Sequence, residues 1–247
     1  MRLSSTLVAS NMTGDIHLKK MEIEEKKLDN PVWNSLNETH KSLSIEYDGI
    51  KFYAPEYCPF GGFRNPKKSI NGINEYSTLI DSFYVVGEKP LFGRNITINK
   101  NLVCNQMLLE KPIELEIEEQ IVKLKYRKQK TDLFNLVNLI QPGYFNNKTP
   151  DLGKYFGIYK NDELIAVTGE RMKMNEFTEI SAVITHPEHT GKGYAKQLIK
   201  HTTGQIFNES KIPYLHVAES NIGAIKLYEK LGFTTRRKIS FWNIKTT

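Results

Sequence analysis

The chain has 247 residues, of which 39% are hydrophobic and 25% are charged, so it can bury a core and is not a disordered polymer. No apolar run approaches the roughly 18–20 residues that span a bilayer, and the N-terminus is a poor signal peptide. Two cysteines exclude a disulfide framework, and no Cys/His spacing suggests zinc. We expect a cytoplasmic protein without a metal, whose net charge of +6 favours anionic ligands.

The N-terminal part predicts a flexible leader over residues 1–28, followed by a small α+β lobe over residues 29–115. Pro31 fits the first turn of a helix. Asp48-Gly49 lies between two alternating runs and predicts a hairpin. We interpret the region of prolines and glycines from 55 to 66 as a long turn. Two further strands are predicted at 81–86 and 102–109.

The C-terminal part, residues 121–247, predicts a second and larger α/β domain after an acidic connector at 111–120. Along this part, segments whose hydrophobic residues repeat with the period of a strand are followed by segments that repeat with the period of a helix. Gly232 is typical of the residue that ends a helix. The predicted elements are strand 121–126, helix 132–140, hairpin 155–168, strand 179–185, a helix from 194, strand 213–217, helix 221–231 and strand 234–244.

The most informative segment is His186–Ala195, which joins a predicted strand to a predicted helix. Gly191 and Gly193 allow the backbone to approach a ligand, and the first amides of the helix are unpaired. Together they form a cradle for an anion such as a pyrophosphate. The segment lacks the third glycine of a dinucleotide-binding fingerprint, and the chain has no Walker P-loop.

A second motif follows at 221–233. On a helix, Asn221, Ala224 and Tyr228 share one face, with the small Ala224 between the two polar residues. A slim ligand can lie along such a face.

The two motifs together resemble the GNAT superfamily of N-acetyltransferases, which use acetyl-CoA. The resemblance implies a mixed central sheet with flanking helices and, as cosubstrate, acetyl-CoA. It implies pyrophosphate binding by the turn and pantetheine binding by the preceding strand. The residues concerned are His189, Thr190, Gly191, Lys192, Gly193, Tyr194 and Ala195 in the turn, Val183, Ile184 and Thr185 in the strand, and Asn221, Ala224 and Tyr228 in the second motif.

The N-terminal part resembles, more loosely, the first half of a bacterial group of two-part GNAT proteins. The similar residues are Asp29–Leu36, with His40 just after them. The resemblance implies a degenerate GNAT-like lobe without a cofactor turn.

The turn departs from the family pattern. Glu188 and Thr190 stand where Gln or Arg and a second Arg are usual. Backbone amides and the helix dipole must then supply more of the phosphate binding, helped by Lys192 and Lys196.

Acetyl transfer needs a base for the amine and an acid for the leaving thiolate. Glu179 is the first candidate base, because strand alternation puts it on one face with Ser181, Val183 and Thr185; Glu170 or a water chain are the alternatives. Tyr228 is the candidate general acid for the thiolate, and a backbone amide near Val183 is the candidate donor that stabilises the oxyanion. His186, His189 and His216 are candidate proton relays.

The predicted function is direct transfer of an acetyl group to an unidentified amine, by a monomer or homodimer. The alternative is a non-catalytic acyl-CoA-binding regulatory module. Binding to nucleic acid ranks last, because no stripe of interleaved basic and aromatic residues supports it.

Overall fold

The computed structural model describes residues 24–246, so most of the predicted leader lies outside the described residues. Within this range no helix has the length and apolar character needed to cross a membrane. The N-terminal half contains α1 (Pro31–Asn37), β1 (Ser44–Tyr47), β2 (Ile50–Tyr53), β3 (Phe60–Phe63), α2 (Ser69–Tyr76), β4 (Ser82–Val86) and β5 (Ile96–Leu108).

The C-terminal half follows a connector without regular structure. It contains β6 (Val122–Lys123), α3 (Arg127–Ile140), β7 (Tyr155–Lys160), β8 (Glu163–Lys173), β9 (Phe177–Thr185), α4 (Tyr194–Asn208), β10 (Ile212–Ala218), α5 (Ile222–Lys230) and β11 (Thr234–Thr246). Short 3-10 turns occupy Lys26–Asp29, Lys41–Leu43, Pro66–Lys68, Thr149–Asp151 and Pro187–His189. The predicted mixed sheet with flanking helices is confirmed.

The two halves exchange their last strands within one continuous sheet. Its order is β1-β2-β3-β4-β11-β5-β10-β9-β8-β7-β6. The last strand of the N-terminal half, β5, pairs with β10, and the last strand of the chain, β11, pairs with β4. The two exchanged strands also pair with each other over their whole length. The division into a lobe at 29–115 and a domain at 121–247 stays a prediction, and each unit would need a strand of the other.

The halves also repeat one order of elements. In each, a helix, three antiparallel strands, a second helix and a parallel strand precede the long exchanged strand. No counterpart of α5 lies between β4 and β5 of the N-terminal half, and the link from β3 to α2 is Arg64-Asn65-Pro66 rather than a glycine turn. The degenerate GNAT-like origin of this half stays a prediction.

The region predicted as a long turn contains a buried strand, β3, and the helix after it was not predicted. Its glycines serve close packing rather than a turn. A Cβ at Gly61 would lie 2.2 Å from the Phe52 ring, and one at Gly62 would lie 2.8 Å from the Trp33 amide nitrogen. A pair of glycines in a strand therefore marks close approach by neighbouring groups.

Other boundaries also differ from the predictions. Helix α3 begins at Arg127, because the Gln129 side chain accepts hydrogen bonds from two amides just before the helix. That early start shortens the strand predicted at 121–126. Strand β5 begins at Ile96, since it follows β11 to the end of the sheet. Leu28, the last residue of the predicted leader, is fully buried, so the packed chain begins before residue 29.

A buried histidine connects the two halves. The His40 Nδ1 atom lies 2.9 Å from the Tyr53 hydroxyl and 3.2 Å from Ser35 Oγ. Its Nε2 atom donates to the Leu152 carbonyl at 3.0 Å. A carbonyl can only accept, so Nε2 carries the proton and Nδ1 is the acceptor of a neutral ring. Burial lowers the pKa of His40 to about 4.

This histidine predicts acid-sensitive stability. With a pKa of about 4 when folded and 6.5 when unfolded, the unfolded chain binds the extra proton between these values. The free energy of unfolding should therefore fall as the pH drops from about 6.5 to about 4, by on the order of 3 kcal/mol from this residue. Urea unfolding of wild type and His40→Asn across that range measures it. The same pH slope in both proteins would contradict the assignment.

Candidate functional site

Strands β9 and β10 separate towards their C-terminal ends. They pair as far as Ile180 opposite Leu215, and β10 then continues beside β5 alone. Ala182 has a φ of +51°, and neither it nor Val183 has a partner residue on β8. A positive φ at a non-glycine residue with this loss of register is a β-bulge. The peptide groups at 182 and 183 therefore border the gap between the two strands.

The cavity lining does not follow the predicted strand alternation. Four consecutive residues of β9, Ile180 to Val183, line one cavity, whereas Glu179 does not line it. Strict alternation would have placed Glu179 with Ser181 and Val183.

The glycine turn has the backbone geometry that its sequence predicts. Gly191 and Gly193 have φ values of +77° and +78°, in the left-handed region that favours glycine. Helix α4 starts directly after Gly193 and has no side-chain cap, so its first amides remain available to an anion. The Lys196 side chain folds over Gly193, with its Cε atom 2.8 Å from the place of an added Cβ. Glu188 is exposed.

Helix α5 presents the predicted face to the same cavity. Asn221, Ala224 and Tyr228 all line it. The Asn221 side chain also caps the helix, since its Oδ1 atom accepts from the Ala224 amide at 3.2 Å. Tyr228 is 7% exposed, and burial raises its pKa to about 12. Its hydroxyl makes no hydrogen bond within residues 24–246.

The cavity has a volume of about 460 Å³ and lies between the two halves of the chain. Phe60 of β3 and Leu102 of β5 line it from the N-terminal half, and Phe241 of the exchanged β11 lies beside them. Helix α3 and the segment after it contribute Val137, Ile140, Gln141, Pro142, Tyr144 and Phe145. The N-terminal half thus forms one wall of the site.

A buried ion pair forms part of the cavity floor. The Arg171 side chain donates to both oxygens of Glu179, from Nε at 2.8 Å and from one Nη atom at 2.7 Å. His216 Nδ1 lies 2.8 Å from the same carboxylate, whose side chain is 0% exposed. Burial alone would raise the pKa of Glu179, but Arg171 and His216 hold it at about 2. Arg171 and His216 border the cavity, and Glu179 lies behind them.

Comparison with known proteins identifies the fold. Residues 155–242 match the family model of the FR47-like proteins. A putative acetyltransferase of the GNAT family from Novosphingobium aromaticivorans superposes with a TM-score of 0.82 at 27% identity, covering 89% of this chain and 98% of that one. Residues 155–242 are an FR47-like GNAT domain.

Two further relatives are less similar or match a shorter part of the chain. A GCN5-related N-acetyltransferase from Kribbella flavida shares the fold, with a TM-score of 0.59 at 13% identity over 87% of this chain and 93% of that one. The spermidine N(1)-acetyltransferase of Vibrio cholerae is 48% identical over 54 residues, which are 21% of this chain. The match spans 31% of that enzyme, about a third of its length.

The other predicted residues of the GNAT domain lie in and around the turn. Ile184 is buried against α3, and Thr185 pairs with Ala166 of β8. Tyr194, the first residue of α4, packs into the core, and Ala195 next to it is half-buried. Lys192 is exposed, and the Thr190 hydroxyl donates to the carbonyl of Pro187.

The remaining candidate bases differ in their access to the cavity. Glu170 is buried away from it and accepts from Lys173 Nζ at 2.5 Å and from the Lys154 amide at 3.1 Å. His186 accepts a hydrogen bond from the Glu188 amide within the turn, and His189 does not line the cavity. Among the three predicted relays, His216 alone lines it.

Sequence reasoning missed Arg171 and the wall from the N-terminal half. Arg171 and Glu179 lie on the adjacent antiparallel strands β8 and β9, so pairing the two strands would have brought them together. No sequence pattern indicated that the N-terminal half lines the cavity, because Phe60 lies in the segment that we interpreted as a turn.

Proposed function

We propose that this chain transfers an acetyl group directly from acetyl-CoA to the amine of an acceptor held in the cavity. One observation supports it above the others. Strand β9, on one side of the gap, runs into the glycine turn and the uncapped N-terminus of α4, and the Asn221–Tyr228 face lines the cavity. A long thioester with an anionic end fits this arrangement.

The glycine turn would hold the pyrophosphate. The amides of residues 190–195 and the positive end of α4 attract it, and Lys196 lies close by. Pantetheine would lie along 183–185 of β9, as an added strand pairs with a free edge. Asn221 and Ala224 would flank it from α5.

The bulge would stabilise the transition state. A peptide amide at 182 or 183 can donate to the developing oxyanion of the thioester carbonyl. Tyr228 would protonate the leaving thiolate, since a pKa near 12 keeps its hydroxyl protonated through the neutral range.

The base of this reaction is better assigned to water than to a carboxylate. The pKa of Glu179 is about 2, and both of its oxygens are engaged. Glu170 lies away from the cavity. His216 donates from Nδ1 to Glu179, and its Nε2 atom faces the Gln106 amide nitrogen at 3.1 Å. We therefore propose that the amine loses its proton to water in the open cleft, while Glu179 fixes Arg171 and His216.

Direct transfer is favoured over an acetylated cysteine. Cys104 is the cysteine that lines the cavity, and burial raises its pKa to about 12. Its thiol is then neutral near pH 7, and thiolate is the reactive form.

A regulatory module that binds acyl-CoA without turnover is the second candidate. Glu188 and Thr190 favour it, because an exposed carboxylate and an uncharged hydroxyl bonded to the Pro187 carbonyl leave few positive side chains for phosphate. Calorimetric titration with acetyl-CoA, followed by a thiol-release assay with added amines, separates the two. Binding with acceptor-dependent thiol release supports the enzyme, binding without release on any amine supports the module, and no binding refutes both.

Changing Gly193 to Ala should weaken acetyl-CoA binding about tenfold, because a left-handed residue other than glycine costs roughly 1–2 kcal/mol. Its φ is +78°, and the new Cβ would displace Lys196. Gly204→Ala is the matched control: it lies within α4, has open space around it, and should leave the dissociation constant unchanged. Calorimetry measures both, and equal constants for the two variants would contradict a phosphate-binding turn.

A further inference from the structure

We propose that the acceptor is an amino carboxylate with an apolar body, and that Arg171 binds its carboxylate. This inference rests on the proposed acetyl transfer and assigns the substrate class of the same cavity.

Arg171 has hydrogen-bond donors that its partner Glu179 does not use. Its Nε atom and one Nη atom hold Glu179, and its other Nη group makes no hydrogen bond within the described residues. The side chain is 14% exposed and lines the cavity, with its guanidinium carbon 4.7 Å from the centre of the Phe60 ring. A guanidinium that is already fixed by one carboxylate and one aromatic ring is preorganised to bind a second carboxylate.

The lining has the opposite charge pattern from that needed by a polyamine. Within residues 24–246 it contains no Asp or Glu, and Arg171 is its one Lys or Arg. An acceptor with extra ammonium groups would lose their hydration without gaining a partner. The similarity over 54 residues to a spermidine acetyltransferase is therefore not matched by a lining that would favour a polyamine.

The rest of the lining suits an apolar body. Phe60, Leu102 and Phe241 form one wall, and Val137 and Phe145 lie among the residues of the other. Specificity in such pockets comes from a few polar groups placed among apolar ones. Arg171 is the charged group of this kind, so it is the specificity-determining residue for the acceptor.

Matched acceptor pairs test this inference. Thiol release would be compared for phenylalanine against phenethylamine, leucine against isopentylamine, and 4-aminobutanoate against propylamine, with spermidine included. We expect the best amino carboxylate to exceed its decarboxylated partner in kcat/KM by about 10- to 100-fold, the effect of one charge-assisted hydrogen bond. The difference should lie mainly in KM, and spermidine should be a poor acceptor.

A variant and a binding measurement complete the test. Arg171→Gln combined with Glu179→Gln removes both charges, so no buried ion is left unpaired, and the ratio within each pair should fall towards one. Calorimetry with CoA present compares N-acetylphenylalanine with N-acetylphenethylamine, which reports the carboxylate site without turnover. Circular dichroism checks that the variant is folded.

The outcomes separate this inference from the proposed function. Turnover of spermidine or of the decarboxylated amines in preference to the amino carboxylates would overturn the acceptor class and leave acetyl transfer standing. Absence of turnover with Arg171-dependent binding of N-acetylphenylalanine would overturn the transfer and leave the carboxylate site standing. Absence of both would refute both.

Discussion

Tyr228→Phe is expected to lower kcat by about 10²-fold or more, because loss of a general acid typically costs 10²–10⁴-fold. The change removes one oxygen atom from a ring that packs against Phe233, with 5.7 Å between the ring centres, so the helix should stay in place. The KM for acetyl-CoA should change little. Steady-state thiol release gives both constants.

The matched control is Tyr159→Phe, which removes a hydroxyl that donates to Asp132 outside the cavity. Its kcat should equal that of wild type. If Tyr228→Phe kept the wild-type kcat at every pH tested, the hydroxyl would have no part in protonating the thiolate.

Glu179→Gln is expected to lower the free energy of unfolding by about 3–5 kcal/mol, because it leaves the buried Arg171 without its counter-charge. The carboxylate is 0% exposed and accepts hydrogen bonds from Arg171, from His216 and, at 3.3 Å, from the Met172 amide. Urea unfolding near neutral pH measures the change.

An exposed ion pair provides the control. Glu219 lies 2.7 Å from Lys238, with both side chains well exposed, so Glu219→Gln should cost less than about 1 kcal/mol. The variant Arg171→Gln/Glu179→Gln should regain part of the loss, since removing both charges is cheaper than leaving one. A Glu179→Gln protein as stable as the Glu219→Gln protein would show that the buried Arg171–Glu179 pair does not stabilise the fold around the cavity.

The sequence predicted those parts of the fold that depend on neighbours in the chain. The hairpin at Asp48-Gly49, the turn at Gly191 and Gly193, and the helix end at Gly232 each follow from local backbone requirements. The shared face of Asn221, Ala224 and Tyr228 follows from helical spacing alone. All three residues line the cavity, whereas their binding of acetyl-CoA stays a prediction.

The features that depend on distant residues could not be predicted in this way. The exchange of β5 and β11 has no local signal, because each strand alternates as it would beside any partner. The burial of Glu179 behind Arg171 depends on the pairing of β8 with β9, and a register shift between Glu170 and Lys173 of β8, opposite Glu179, breaks the alternation used to place it. Phe60 reaches the cavity on a strand whose glycines indicated a turn.

The strand exchange gives the N-terminal half a direct part in the site. Leu102 and Cys104 lie on β5, which pairs with β10 of the GNAT domain. Phe241 lies on β11, which pairs with β4 in return. The cavity wall is thus continuous with the sheet of both halves, and the residues that line it come from both.

The most direct test of the central claim follows an isotope-labelled acetyl group from acetyl-CoA into the product. The purified protein would be incubated with labelled acetyl-CoA and the amine panel, and the products would be identified by mass spectrometry. Acetyl transfer predicts one N-acetylated amine formed in equal amount to the CoA released, at a rate that Tyr228→Phe lowers. Release of CoA without an acetylated amine, or no release with any amine, would contradict it.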